Sequence, residues 1–225
     1  MSEPITDHDI QAFLFDMDGT LLDSEILWVE ATALWLRENG IDISDHEALE
    51  LVYGIAWSEV WAEIQRRYPT VAARTDDFRA ACAACFERVQ AERDIRIASS
   101  IDLLKRLARD YPVAVVSGSY VKDVGHGVSM MGLDPYVRFY MGNEDAPAGK
   151  PHPSCYLLAA ERLGLPPAKC LVFEDSTMGI RAAKSAGMHC VALARPERPA
   201  QDTAEADWVL EDLGRFSLSA YREAV

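Results

Sequence analysis

Basic residues are scarce in this chain: 22 lysines and arginines stand against 36 aspartates and glutamates over 225 residues, a formal charge of −14. Such a field repels phosphate backbones and anionic lipid surfaces, so neither nucleic acid nor membrane is an expected partner. No apolar run approaches the roughly 18 residues that a membrane-spanning helix needs. The opening stretch MSEPITDHDI is polar and acidic, without the basic region and apolar segment of a secretory signal. A soluble, cytoplasmic protein is expected. Cysteine is sparse as well, and the five present, scattered at 82, 85, 155, 170 and 190, do not form a disulfide framework and suit a reducing compartment. Cys82 and Cys85 have C-x-x-C spacing, yet they share a helical stripe with Phe78, Phe86 and Val89, with no second Cys or His pair nearby. Buried helix cysteines are expected there rather than a zinc or redox site. His46, His126, His152 and His189 are not spaced as metal ligands and read as surface or loop residues.

About half of the chain is apolar (49%), enough to bury a sizeable core in one medium domain or a domain carrying a smaller insert. The run AFLFDMD at 12–18 stops abruptly at acidic residues and Gly19, the pattern of a buried strand feeding a loop. VAVVSG at 113–118, VRFYMG at 137–142, CLVFED at 170–175 and CVALA at 190–194 read the same way. The stretches between them are mostly helical: LLKRLARD, YLLAAERLG and IRAAKSAG space apolar residues three or four apart, and two of these end in Gly, a common helix stop. Strands alternating with helices predict an α/β fold with a Rossmann-like, doubly wound parallel sheet. Residues 24–95 break the alternation with four amphipathic helices and no strand, so the expected organisation is a core of 1–23 with 96–225 and a helical cap of 24–95. The first of these helices has Leu27, Ala31, Leu34 and Trp35 on one face. The second opens with Ser44 and Glu47 spaced as a capping box, and the third carries Trp57, Val60, Trp61, Ile64 and Tyr68 before Pro69 ends it.

Asp16-Met17-Asp18-Gly19-Thr20 places two carboxylates two residues apart where a strand ends, and the carboxyl edge of an open α/β sheet is where ligands bind. The chain leaves for the insert just beyond this point and returns, which predicts a lid over the same edge. Glu174 and Asp175 close a later strand. Four carboxylates converging at one edge repel unless a cation sits among them, and oxygen-only donors favour Mg²⁺. Ser117-Gly118-Ser119 and Lys150 supply the hydroxyl, backbone amides and ammonium that a bound phosphate needs. Taken singly, the serines read as a helix cap and Lys150 as a solvated charge; their order relative to the two acidic motifs is what raises the other reading.

FDMDGTLLDSE, VVSGS, the Lys-Pro of GKPHP and FEDSTMGI, in that order, resemble the four motifs of the haloacid dehalogenase superfamily. The resemblance covers nearly the whole chain, and the insert after the first motif is similar to the C1 cap of the subfamily that contains phosphoglycolate phosphatases, sugar phosphatases and β-phosphoglucomutase. It implies that Asp16 is the nucleophile, forming an aspartyl-phosphate, and that Asp18 protonates the leaving oxygen and then activates water. It implies Mg²⁺ held by the side chains of Asp16 and Asp175 and the backbone carbonyl of Asp18, with Glu174 acting through water or by orienting its neighbours. Ser117 and the Gly118 amide would hold phosphoryl oxygens, and Lys150 would neutralise charge on nucleophile and phosphate.

Within that family, Asp18 argues for phosphate chemistry over dehalogenation, and the absence of lysine from residues 24–95 excludes phosphonate cleavage through a cap Schiff base. A phosphosugar mutase is the stronger rival, but Trp28 stands where such mutases typically carry a cap histidine, and the loop Gly54-Ile55-Ala56-Trp57 offers no arginine for a second phosphate. A catalytically silent binding protein is a weaker alternative, since every acidic motif position is filled. The expected substrate is a small phosphorylated metabolite, either a sugar phosphate or a short phosphorylated acid. Trp28 and Trp57 read either as pocket lining for its non-phosphate part or as core, and Glu25 as a contact to a substrate hydroxyl or as a helix N-terminal charge. A monomer is expected, because the apolar stripes of the cap helices can be buried within the insert.

Overall fold

The computed structural model describes residues 10–53, 55 and 57–225. Chain order is β1 (Ala12–Phe15), α1 (Glu25–Glu38), α2 (Asp45–Val52), α3 (Trp57–Arg67), α4 (Pro69–Ala72), α5 (Phe78–Glu92), α6 (Ala98–Leu107) and β2 (Val113–Val116). There follow α7 (Val121–Met130), β3 (Phe139–Met141), α8 (Ser154–Leu163), β4 (Cys170–Glu174), α9 (Thr177–Ser185), β5 (His189–Leu193), β6 (Trp208–Leu210) and α10 (Leu218–Ala224). The chain divides into two compact units, one of residues up to Leu22 together with Arg96–Val225, the other Asp23–Ile95. The acidic N-terminal stretch, whose reading bears on localisation, lies outside the described residues up to Asp9, as do Gly54 and Ala56 of the cap loop.

The first unit is built on a six-stranded parallel sheet in the order β3-β2-β1-β4-β5-β6. Both acidic motifs therefore leave neighbouring central strands, because Phe15 and Phe173 are in register on β1 and β4. Burial on both faces explains the unbroken apolar runs. Ala12, Leu14, Ala114, Val116, Val172 and Ala192 face one side and pack on Tyr156, Ala159 and Ala160 of α8 and Ile180 and Ala183 of α9. The alternate residues Phe13, Phe15 and Phe173 face the other side, where ring centroids lie 4.5 Å (Phe15–Phe173) and 4.9 Å (Phe173–Phe216) apart. Each such fully buried ring contributes about 1.5–3 kcal/mol.

The edge strand β6 escapes the sequence pattern because its three partly buried residues, WVL, are closed in by Asp207 and Glu211. Its approach is fixed by polar chemistry instead: Asp207 accepts two hydrogen bonds from Lys184 Nζ at 2.6 and 2.7 Å and one from the Cys190 amide at 2.7 Å. His189, expected on a surface or loop, is the first residue of β5 and lies 2.8 Å through Nδ1 from Tyr221 Oη of α10.

The second unit is all helical among the described residues. The capping box of α2 forms as its spacing predicts, with Ser44 accepting from the Glu47 amide and Glu47 accepting from the Ser44 amide. Pro69 does more than end a helix. It stands at the first position of α4, where its missing N–H costs nothing and its fixed φ suits a helix start, so this region holds a short fifth helix beyond the four expected. Of the predicted stripe on α1, Leu34 is only half-buried, while Ile26, Val29, Thr32, Ala33 and Leu36 are buried as well. The helix thus buries far more than one face.

The five cysteines are free and buried, and loss of hydration pushes their thiols up, Cys82 to about 12 and Cys170 to about 11. At mildly alkaline pH the folded protein should therefore react with DTNB at under one thiol per chain, and all five should react after denaturation. Fast labelling of two thiols in the folded state would contradict this packing of the α5 pair.

Candidate active site

The sheet edge sets the geometry. Asp16 follows β1 directly, its amide donating to Phe173 O at 3.0 Å, and its side chain is buried. The loop beyond it turns tightly, with the Leu21 and Leu22 amides both bonded to Met17 O. Gly19 in this loop has φ +90°, and a Cβ there would stand 2.0 Å from Asp175 Oδ2. Only a residue without a side chain lets the two acidic motifs approach so closely. Thr20 closes the contact, its Oγ1 donating to Asp175 Oδ1 at 3.2 Å.

Lys150 links the motifs. Its Nζ lies 2.5 Å from Asp16 Oδ1, 2.6 Å from Glu174 Oε1 and 3.2 Å from Val116 O, so each of its three protons has an acceptor. It is therefore not the solvated charge it could be taken for in isolation. Glu174 is fully buried and takes two further bonds on its other oxygen from Ser176, amide and hydroxyl, at 3.2 and 3.0 Å. Asp18 is held differently: Ser117 Oγ and Ser119 Oγ both donate to its Oδ2, at 3.0 and 2.7 Å. The serines are not a helix cap, since Tyr120 occupies that position of α7 with no side-chain cap bond.

Asp16, Glu174 and Asp175 each bring a carboxylate oxygen within 4.8 Å of the others. Burial pushes the Asp16 carboxyl well above its usual range; the Lys150 ammonium opposes this, and Glu174, Asp175 and Asp18 reinforce it. For Lys150, burial disfavours the charge, but contact with Asp16 and Glu174 outweighs burial and raises its pKa. One ammonium facing four carboxylates leaves excess negative charge, and oxygen donors alone surround it; a hard divalent cation fits that set.

A sequence profile of haloacid dehalogenase-like hydrolases matches residues 10–187. The chain belongs to this family. Among relatives of the hydrolase, hexitol phosphatase B of Escherichia coli K12 is 30% identical over 217 residues, covering 95% of each chain. Validoxylamine A 7'-phosphate phosphatase of Streptomyces hygroscopicus subsp. limoneus is 30% identical over 201 residues, covering 89% of this chain and 92% of its own. Among solved structures, a HAD family hydrolase of Deinococcus radiodurans with bound phosphate and sodium superposes with a TM-score of 0.76 at 27% identity, covering 96% of both chains.

Of the residues singled out in the sequence, Asp16, Lys150 and Glu174 share one hydrogen-bonded set, with Asp175 close by in the acidic cluster, while Asp18 and Ser117 form a second set, with Gly118 in the chain between Ser117 and Ser119. Trp28, Trp57 and Glu25 belong to the helical unit. There Trp28 and Trp57 meet edge to face at 5.0 Å, Trp28 also packs on Phe86 at 4.1 Å, and Glu25 stands in the first turn of α1, where a negative charge suits the helix dipole. Four participants were not singled out for a role of their own: Thr20 and Ser176, which bond Asp175 and Glu174, and Ser119 and Tyr156. Ser119 was visible only as a neighbour of Ser117, and Tyr156, whose hydroxyl reaches Glu174 at 2.8 Å, looks in sequence like one more apolar position on α8.

Replacing Gly19 by alanine should cost about 1–3 kcal/mol of stability from the left-handed φ alone, and more from the clash with Asp175. Denaturant unfolding measures the loss; an alanine variant as stable as the native chain would refute the close approach of the two motifs.

Proposed function

We propose that this hydrolase is a phosphatase of small phosphorylated metabolites, sugar or polyol phosphates foremost, working through an aspartyl-phosphate on Asp16. The observation that carries the proposal is the Lys150 ammonium seated on Asp16 beside an Asp18 carboxylate held by two hydroxyls. Lys150 fixes Oδ1 of Asp16, which leaves Oδ2 as the attacking oxygen. That oxygen forms a bond to phosphorus as the ester P–O bond breaks, and Asp18, which enters this step as the carboxylic acid that the second step regenerates, gives its proton to the leaving alkoxide and becomes a carboxylate. Water then gives a proton back to Asp18 while its oxygen attacks phosphorus, releasing inorganic phosphate and restoring Asp16. Ser117 Oγ, now spent on Asp18, would turn to a phosphoryl oxygen once substrate arrives, together with the Gly118 amide.

Asp16, Asp175 and the backbone carbonyl of Asp18 are the groups proposed to hold Mg²⁺, with Glu174 orienting them. When bound, the ion supplies charge neutralisation to the phosphoryl oxygens and to the crowded carboxylates. The named activities of the relatives support phosphate-ester hydrolysis rather than a mutase, as do Trp28 and the arginine-free cap loop. Cleavage of small esters by a strongly acidic protein also agrees with a cytoplasmic monomer whose residues 24–95 act as a cap, which is the organisation we propose.

A phosphate-release screen over a broad panel of phosphorylated metabolites, with Mg²⁺ present, should give a few strong substrates among sugar and polyol phosphates. Asp16→Asn should lower kcat by about a thousandfold or more while leaving the fold intact. Near-native turnover in that variant would remove Asp16 as nucleophile. Chelation with EDTA should abolish activity and added Mg²⁺ restore it; activity that survives rigorous chelation would overturn the metal assignment. Glucose 1-phosphate should yield free phosphate or nothing, and conversion to glucose 6-phosphate would instead favour the mutase.

A further inference from the structure

Tyr156 is fully buried on α8, where phenylalanine would fill the same space without the cost of burying a hydroxyl. Its Oη bonds Glu174 Oε1 at 2.8 Å. With Lys150 Nζ on the same oxygen at 2.6 Å and the amide and hydroxyl of Ser176 on Oε2, four donors meet the roughly four lone-pair sites of this carboxylate. The surroundings leave it no other pose. A Cβ on Gly179 would stand 1.8 Å from Glu174 Oε1, so α9 lies flush against the carboxylate, and Ser176 Oγ is itself fixed by the Gly179 amide at 3.0 Å. The Tyr156 ring also lies beneath the ammonium, 5.2 Å from Lys150 Nζ to its centroid, within reach of a cation–π attraction.

We propose that Tyr156 is a positioning residue: by completing the hydrogen-bond shell of Glu174, it dedicates that carboxylate to Lys150 and leaves it no oxygen for direct coordination of a cation. A cation held by Asp16 and Asp175 would then take no direct bond from Glu174, even though Glu174 lies in the same acidic group. Glu174 acts through Lys150, keeping the ammonium where it steers Asp16 and meets the phosphoryl group. This inference rests on the phosphatase reading of the same site and adds a residue to it.

The test is Tyr156→Phe in the full chain, which keeps the ring under Lys150 and removes only the hydroxyl. Since the variant removes one of the four donors that fix Glu174, kcat should fall by about tenfold or more, with KM within about twofold of native, because Tyr156 and Glu174 are both fully buried. Calorimetry with Mg²⁺ alone should show binding as tight as native or tighter, since the variant frees a lone pair on Glu174. A native kcat in Tyr156→Phe would overturn the proposal. So would Mg²⁺ binding about tenfold weaker in the variant, which would mean that Tyr156 orients Glu174 as a ligand. If the variant does not fold, Ser176→Ala opens the other oxygen of Glu174 and should give the same pair of results. If the native chain releases no phosphate from any substrate, the phosphatase reading fails, while the calorimetric comparison still decides the role of Tyr156.

Discussion

Mutual repulsion of carboxylates is the constraint on which this active site is built. Strand order brings Asp16 and Glu174 side by side at the ends of β1 and β4, and buried like charges at that spacing cannot all stay ionised without a counter-charge. Lys150 supplies one, and its three protons are all directed to fixed acceptors. Losing one partner of a buried pair leaves an uncompensated charge, which costs about 3–5 kcal/mol. The local architecture follows from that contact: a loop closed by Ser154 Oγ on Ala148 O delivers the lysine, and two glycines, 19 and 179, let backbone come against the carboxylates.

The two aspartates of the first motif sit in unlike surroundings although only one residue separates them. Asp16 is buried and faces an ammonium; Asp18 is half-exposed and faces two hydroxyls. Strand geometry accounts for the difference, since β1 ends at Phe15 and the turn about Gly19 carries Asp18 away from the sheet. The proposed division of roles, Asp16 attacking and Asp18 carrying the proton, would then be made by backbone rather than by residue type.

The parts legible in the sequence are those written in local pattern. β1, β2, β4 and β5 were visible as apolar runs because a parallel sheet covered on both faces admits little polarity, the partly buried edge strand β3 was visible through the longer stretch VRFYMG, and the capping box of α2 was visible as a spacing. Most of the motif residues could be assembled because they stand at or just beyond strand ends, whereas Lys150 lies in the loop between β3 and α8 and was placed only by its order among the motifs. β6 was not visible, since its three apolar residues are closed in by Asp207 and Glu211 and the run extends no further. Tyr156 was hidden for another reason. Its helix-periodic position is that of a core residue, and what distinguishes it is a hydroxyl meeting Glu174 across a tertiary contact that no spacing encodes.

The chain leaves the sheet unit and re-enters it through adjacent residues: Leu22 and Arg96 pair as an isolated antiparallel bridge, and the Asp23 amide bonds Ile95 O. This has a consequence for how the protein folds. β1 must pair with β2, which lies beyond the whole helical unit in sequence, and closing so long a loop would ordinarily slow the search for a parallel sheet. A helical unit that forms first from its own local contacts brings its two ends together, and β1 and β2 are then joined by a short effective tether. An insert that folds in this order would lower the kinetic barrier that its own length otherwise imposes.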